Sequence, residues 1–258
     1  MMRGFLFALG FLTRMPVPTA VFALADGQAR SLPWYPAVGA LLGAVLAGLA
    51  WLLPSEAPLL TAAVVVAAWA WLTGGLHLDG LADSADAWVG GLGDRARTLA
   101  IMKDPRSGPA GVVALVLVLL LKFASLASLL ALRPDLAVLA LLLAPMLARA
   151  SLVEALLHLP YVRANGIGQG LPDASRAACH ASLVATLAAC IVPGVLHWPP
   201  RLPLLLPGVV ALLATVVVAM AWRRACRRRL GGITGDTCGA QTEAVEAAVL
   251  LALACLAG

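Results

Sequence analysis

The sequence predicts an all-α, polytopic integral membrane helix bundle. About seven transmembrane helices follow an N-terminal helix that is re-entrant or interfacial. Three observations predict this. Of 258 residues, 62% are hydrophobic and only 12% charged, and mean hydropathy is +0.95, too little polar surface for a water-soluble domain of this length. Uncharged runs long enough to cross a bilayer recur along the chain, about 20 residues sufficing for a helix. Threading the chain through those runs leaves Lys and Arg almost wholly on one side.

The N-terminal MMRGFLFALGFLTRMPVPTA resembles a signal peptide superficially. Arg14, Pro16 and Pro18 interrupt it and no clear cleavage site follows, so it reads as a retained helix on or dipping into the membrane. Residues 31–55, 57–76, 177–200 and 202–222 contain no Lys, Arg, Asp or Glu, and each reads as a span. Residues 109–132, holding Lys122, and 136–158, holding Arg149 and Glu154, make two more. A shorter seventh runs from about 240 to 258 and carries Glu243 and Glu246. Breaks fall at Pro54-Ser55-Glu56, at Arg133-Pro134-Asp135 and across 198–203, as proline and polar turns require.

With the N-terminus in the cytoplasm, the inner segments hold Arg3, Arg14, Arg30, Arg95, Arg97, Lys103, Arg106, Arg163, Arg176 and the five arginines of RRACRRR (223–229). The outer loops keep only Arg133 and Arg201. This asymmetry orients the chain and makes RRACRRR a topology anchor. It also accounts for the net charge of +5 without a nucleic-acid partner. Residues 1–258 thus form one transmembrane domain with cytoplasmic loops at 77–108, 159–178 and 223–242, where chemistry is expected. The location is a bacterial cytoplasmic (inner) membrane. Five dispersed cysteines with no close Cys/His spacing exclude a disulfide frame or zinc site. His158, His180 and His197 sit near helix ends without acid partners and read as structural.

Three polar stretches carry the chemistry. In GGLHLDGLADSADAWVGG (74–91), a helix places Asp79, Asp83 and Asp86 within an arc of about 60°, beside His77. Three such carboxylates repel one another, and a divalent cation relieves the conflict; an all-oxygen set suits Mg²⁺, which keeps positions open for substrate phosphates. In IMKDPRSGPAG (101–111), Lys103 and Arg106 flank Asp104 just before a helix start, an anion-binding combination. In GGITGDTCGAQTE (231–243), Gly235 and Gly239 let backbone approach a phosphate or metal, and Asp236 and Glu243 share a helical face. Lys122 and Arg149 with Glu154 lie inside spans, where ionisable groups face the bundle interior or a water-filled cavity.

These three stretches, with FLTRMPVP (11–18) and WYPAVGALLG (34–43) before them, resemble the cobalamin synthase (adenosylcobinamide-GDP ribazoletransferase) family from about residue 5 to 245. The resemblance implies a transferase late in cobalamin assembly. It would join α-ribazole or its 5′-phosphate to adenosylcobinamide-GDP, release GMP and require Mg²⁺. On that reading Asp79, Asp83, Asp86, Asp236 and Glu243 are metal or diphosphate-site acids, and Lys103, Asp104, Arg106, Gly235 and Gly239 contact substrate. Asp86 or His77 takes the proton of a ribazole 5′-hydroxyl, while Lys103 and Arg106 neutralise the departing GMP. Ser84 stands where threonine is expected and Pro105 where serine is expected, which removes a phosphate-binding hydroxyl and N–H at 105. Membrane lipid is a partner, and a homo-oligomer or a complex with other cobalamin-assembly enzymes is compatible. Two rival readings of the acids are a CDP-alcohol phosphatidyltransferase and a cation-coupled transporter. The first usually carries an arginine after its D-G, which DGLADSAD lacks.

Overall fold

The structure is a computed structural model describing residues 2–24, 26–163, 170–196 and 205–257. Eleven α-helices occur among them: α1 (Met2–Leu12), α2 (Gly27–Ser31), α3 (Tyr35–Leu52), α4 (Pro58–Leu72), α5 (Leu76–Gly90), α6 (Arg95–Ile101), α7 (Pro109–Leu132), α8 (Pro134–His158), α9 (Arg176–Leu196), α10 (Leu205–Leu230) and α11 (Gly235–Ala254). Prolines at or beside the starts of α3, α4, α7 and α8 follow from their preset φ and missing N–H, which suit a first turn.

Helix α8 is the central element. Its most apolar stretch is 83% buried, whereas those of α7 and α10 are only 28% buried despite higher hydropathy. Val112, Val116 and Leu120 of α7, and Leu213, Val216 and Val217 of α10, point outward. Such apolar outer faces belong against lipid. Several apolar helices therefore make this a membrane protein.

The span count differs from the expected seven. Four helical segments are long and apolar enough to cross: Gly27–Leu52, Pro109–Leu132, Pro134–His158 and Leu205–Leu230. Counting the pair Pro58–Leu72 and Leu76–Gly90, bent by 86°, as one broken span gives five. The run 57–76 yields a helix of only 15 residues before that bend. The tail helix α11 has 12 of its 20 residues buried and carries its glutamates within the protein. The apolar part of α9 runs over Arg176–Val192; His197, the break at 198–203 and Arg201 lie outside the described residues. At the N-terminus, α1 is an apolar helix of 11 residues, too short to span, packed on α2 and α3.

The tightest helix pair is α3 on α8, and small residues one turn apart allow it. A Cβ on Gly39 would lie 2.3 Å from the Pro145 carbonyl oxygen, and one on Gly43 would lie 2.4 Å from that of Leu141. Pro145 has no N–H to return to Leu141, so the oxygen facing Gly43 is one the helix leaves unpaired.

Gly43→Ala should lower the thermal unfolding midpoint of the detergent-solubilised protein, at an overpacking cost of about 1–3 kcal/mol. Gly48→Ala, on the same helix with nothing within 4 Å, should not. Equal midpoints for the two variants would contradict the close α3–α8 packing.

Candidate functional site

Gly74 and Gly75 adopt φ of +64° and +70°, a left-handed turn that swings α5 across the end of α4. Helix α5 consequently runs at 86° to α4, outside the four spans, and packs on the first turns of α11. The two helices touch through glycine. A Cβ on Gly80 would lie 2.7 Å from the Asp236 carbonyl oxygen, and one on Gly239 3.0 Å from that of His77. Because neither position has a side chain, the acids of α5 stand beside the start of α11.

The start of α11 is fixed by a capping box. The Thr234 hydroxyl accepts from the Thr237 N–H at 3.2 Å, and the Thr237 hydroxyl accepts from the Thr234 N–H at 2.8 Å. Asp236 falls in the first turn, where the helix dipole favours an anion. Its Oδ2 accepts from Arg163 NH1 at 2.8 Å. Arg163 is carried there by the segment after α8, which lies alongside the segment before α11: Val162 N–H donates to the Ile233 carbonyl and Ile233 N–H to that of Pro160, each at 2.9 Å.

Asp79, Asp83 and Asp236 form one electrostatic unit. Partial burial, then the charges of Asp79 and Asp236, push the Asp83 carboxyl up to about 6, with Arg163 opposing. Burial likewise raises Asp236, against the pull of Arg163. Three carboxylates in mutual repulsion with a single arginine form a set that a cation would relieve. Among the described residues, no group of three or more His, Cys, Asp or Glu is arranged to hold a metal ion on its own. That donor set fits Mg²⁺, which is commonly held by one or two carboxylates together with waters and substrate phosphates.

Beside these acids lies a cavity of about 250 Å³. Asp79, Asp236 and Arg163 border it, as do Gly235 and Gly239; Phe11, Tyr35, Leu152 and Leu156 supply apolar wall. His77 and Tyr35 also line it, and His77 Nε2 and Tyr35 Oη are buried without a hydrogen-bond partner among the described residues.

Other expected site residues lie elsewhere. Asp86 is on the expected face of α5, but its two oxygens accept from Gly108 N–H at 2.6 Å and Gly111 N–H at 2.8 Å. The helix-start anion site anticipated after residue 106 thus exists, and the protein's own carboxylate fills it. Asp86 is also seven residues from Asp79, about 10 Å along the axis, so periodicity gives them one face without one site. Asp86, expected as a metal ligand or proton acceptor, here has both oxygens engaged by backbone N–H groups.

Glu243, also expected as a metal ligand, faces the buried Lys122. It lies about 10 Å from Asp236 along α11, and its Oε2 is 2.5 Å from Lys122 Nζ inside the bundle. Lys103, Asp104 and Arg106 occupy the turn before α7, outside the cavity wall. Arg106 forks onto Asp104 at 2.9 and 2.8 Å, holding the Asp104 carboxyl down to about 2. His77 is in the cavity wall, in a buried rather than solvent-facing position. Ser84, expected as a hydroxyl substitute, is buried with its oxygen unpartnered.

Arg163 belongs to this site, although its setting in the sequence marks it only as topology charge. The one signal for it is its place in the polar segment 159–178, the segment otherwise without a role.

Lys122 and Arg149 both face α11. Lys122 Nζ lies 2.5 Å from Glu246 Oε2 as well as from Glu243, and sits 4.7 Å from the centre of the Trp69 ring. Arg149 NH1 pairs with Glu246 Oε1. Glu154 pairs with Arg223 of the basic anchor, and His158 Nδ1 stands 3.2 Å from its Oε1, so His158 does have an acid neighbour. Arg229 of the same anchor donates at 2.8 Å to the Trp88 carbonyl at the end of α5, and Trp88 stacks on Trp222 of α10.

Residues 4–254 match the family model described as cobalamin-5-phosphate synthase. A Pseudomonas paraeruginosa protein named adenosylcobinamide-GDP ribazoletransferase is 52% identical over 257 residues, covering 98% of each chain. A protein of the same name from Stutzerimonas stutzeri is 51% identical over 259 residues, covering all of both chains. A third, from Ectopseudomonas mendocina, is 51% identical over 250 residues, 96% of each. No solved structure gives a significant match.

Lys122→Met should strand the buried Glu243, leave Glu246 to Arg149 alone, and cost about 3–5 kcal/mol, the penalty of a broken buried pair. The triple change Lys122→Met, Glu243→Gln, Glu246→Gln should not restore the protein, because Arg149 then loses its own partner. Thermal unfolding in detergent measures both; a Lys122→Met protein as stable as the parent would contradict the buried network.

Proposed function

The chain belongs to the cobalamin-5-phosphate synthase family, and on that premise we propose how its site performs the transfer for which its relatives are named. It is an adenosylcobinamide-GDP ribazoletransferase acting late in cobalamin assembly. The acceptor is α-ribazole or its 5′-phosphate, and the leaving group is GMP. One observation supports the mechanism: Asp79 from α5 and Asp236 from α11 line the polar end of a cavity with Arg163, and Asp83 is coupled to them through its charge. Family membership and the full-length relatives favour this over a phosphatidyltransferase or a transporter.

Asp79 and Asp83 would hold Mg²⁺. When bound, the ion neutralises the diphosphate of adenosylcobinamide-GDP, which the acids alone would repel. Asp236 takes the proton of the attacking hydroxyl; Arg163 fixes one oxygen of that carboxylate and leaves the other for the nucleophile. The family description names a product carrying a 5-phosphate. That description favours, as the attacking group, a ribose hydroxyl other than the 5′-hydroxyl expected from the sequence.

Its oxygen bonds to the cobinamide-linked phosphorus as the bond from that phosphorus to the bridging oxygen breaks. The electron pair of that bond leaves with GMP. Lys103 and Arg106 lie toward the other end of α5, on the turn that Asp86 fastens to it, and neutralise the departing phosphate. The chain acts as a single transmembrane domain, with loops 77–108, 159–178 and 223–242 on the cytoplasmic side of a bacterial inner membrane. The distribution of Lys and Arg supports that orientation.

Asp236→Asn should lower kcat for GMP release by about 10²–10⁴-fold, the usual worth of a positioned proton acceptor, with KM for adenosylcobinamide-GDP little changed. Asp83→Ala should abolish release at ordinary Mg²⁺ concentrations. EDTA should stop the parent enzyme and added Mg²⁺ should restore it. Turnover of Asp236→Asn within a fewfold of the parent would exclude Asp236 as the proton acceptor.

A further inference from the structure

We infer that the cavity of about 250 Å³ beside Asp79 and Asp236 is the subsite for the acceptor nucleoside, with its apolar aromatic base held between α1, α3 and α8. This deepens the ribazoletransferase reading and rests on it. Both substrates must reach the same carboxylates, and the cavity's size, polarity and position each bear on which of them occupies it.

Size excludes the corrinoid, since a corrin ring with its amide side chains needs several times this volume. Polarity separates the two remaining aromatic groups. Guanine presents several donors and acceptors on its edges, and burying them unmatched is costly. Phe11, Leu12, Leu152 and Leu156 make much of the wall apolar, and His77, Tyr35, Tyr161 and Cys238 are its polar side chains apart from the Asp79, Arg163 and Asp236 end. A benzimidazole-type base is bicyclic and apolar, with a single free ring nitrogen, and suits such a wall.

Phe11 and Tyr35 already stack, with ring centres 6.3 Å apart and planes 26° from parallel, so a flat ring would meet an ordered aromatic surface. Tyr35 is 2% exposed, and its hydroxyl has no hydrogen-bond partner among the described residues. It is a donor in that wall that a ring nitrogen can satisfy.

Position supplies the third argument. The cavity's polar end is Asp236, Arg163 and Asp79, where the ribose of a nucleoside seated base-inward would lie. The basic turn bearing Lys103 and Arg106 is fastened to α5 at Asp86, about 10 Å along the helix from Asp79. The cavity and the basic turn thus lie toward different ends of α5, which leaves the acceptor and the guanosine end of the donor separate places to bind.

Steady-state kinetics of the full chain in lipid nanodiscs test this, with α-ribazole 5′-phosphate as acceptor and adenosylcobinamide-GDP as donor. Leu152→Trp fills the cavity and should raise KM for the acceptor at least tenfold, leaving KM for the donor within twofold. Tyr35→Phe keeps the shape and loses one hydrogen bond; it should raise acceptor KM about threefold to tenfold with kcat retained. Benzimidazole alone should compete with the acceptor and not with the donor. An unchanged acceptor KM in Tyr35→Phe, or benzimidazole competition against the donor instead, would overturn the assignment while the parent enzyme still released GMP. No GMP release by the parent enzyme would overturn the ribazoletransferase reading itself.

Discussion

Four buried charges hold α11 inside the bundle, and the site depends on α11 being there. A helix with two glutamates in its middle cannot be sequestered from water unless they are neutralised. Lys122 from α7 and Arg149 from α8 supply two positive charges to Glu243 and Glu246, so the group is balanced as a set. With that pairing in place, the rest of α11 can bury an apolar surface of Val245, Val249, Leu250 and Leu253 in the main core. The first turn of the helix, projecting beyond the charges, is then presented at a fixed place against α5.

What α5 does with that placement follows from two glycines and one turn. The left-handed pair Gly74–Gly75 turns the chain across the bundle, and Gly80 against Gly239 lets two backbones approach to a distance that side chains would forbid. Acids separated by more than 150 residues thereby become neighbours. Burial and then their mutual repulsion raise the Asp83 carboxyl, a cost that a bound cation would relieve. Asp86 has the opposite part: satisfied by two backbone N–H groups, it fastens the start of α7 and steadies α5 for the residues that act.

Much of the architecture is legible in the sequence because membranes impose simple rules. Uncharged runs of sufficient length, proline at helix starts and the one-sided distribution of Lys and Arg locate most helices and suggest their orientation. The number of spans is less legible, since an uncharged run does not say whether its helix stops at 15 residues and bends, as α4 does. Spacing and setting single out Asp79, Asp83 and Asp236, which the structure brings near one another. Spacing also groups Asp86 and Glu243 with them, and the structure sets these two apart for one shared reason. Helical periodicity gives the direction in which a side chain points, but seven residues also move it about 10 Å along the axis. Arg163 cannot be found by periodicity at all, because it reaches Asp236 through a short backbone pairing between two loops.

The sequence by itself determined that this protein lives in a membrane, that it gathers scarce acids in its polar loops, and which family's motifs it carries. Those properties are set by composition and local spacing, which folding does not alter. Only the tertiary structure decided which acids share a site, which are consumed by Lys122, Arg149 or a helix start, and that an apolar cavity opens beside the ones left free. Such outcomes depend on contacts between helices distant in sequence, where depth along each axis and the absence of a side chain at a crossing determine what meets.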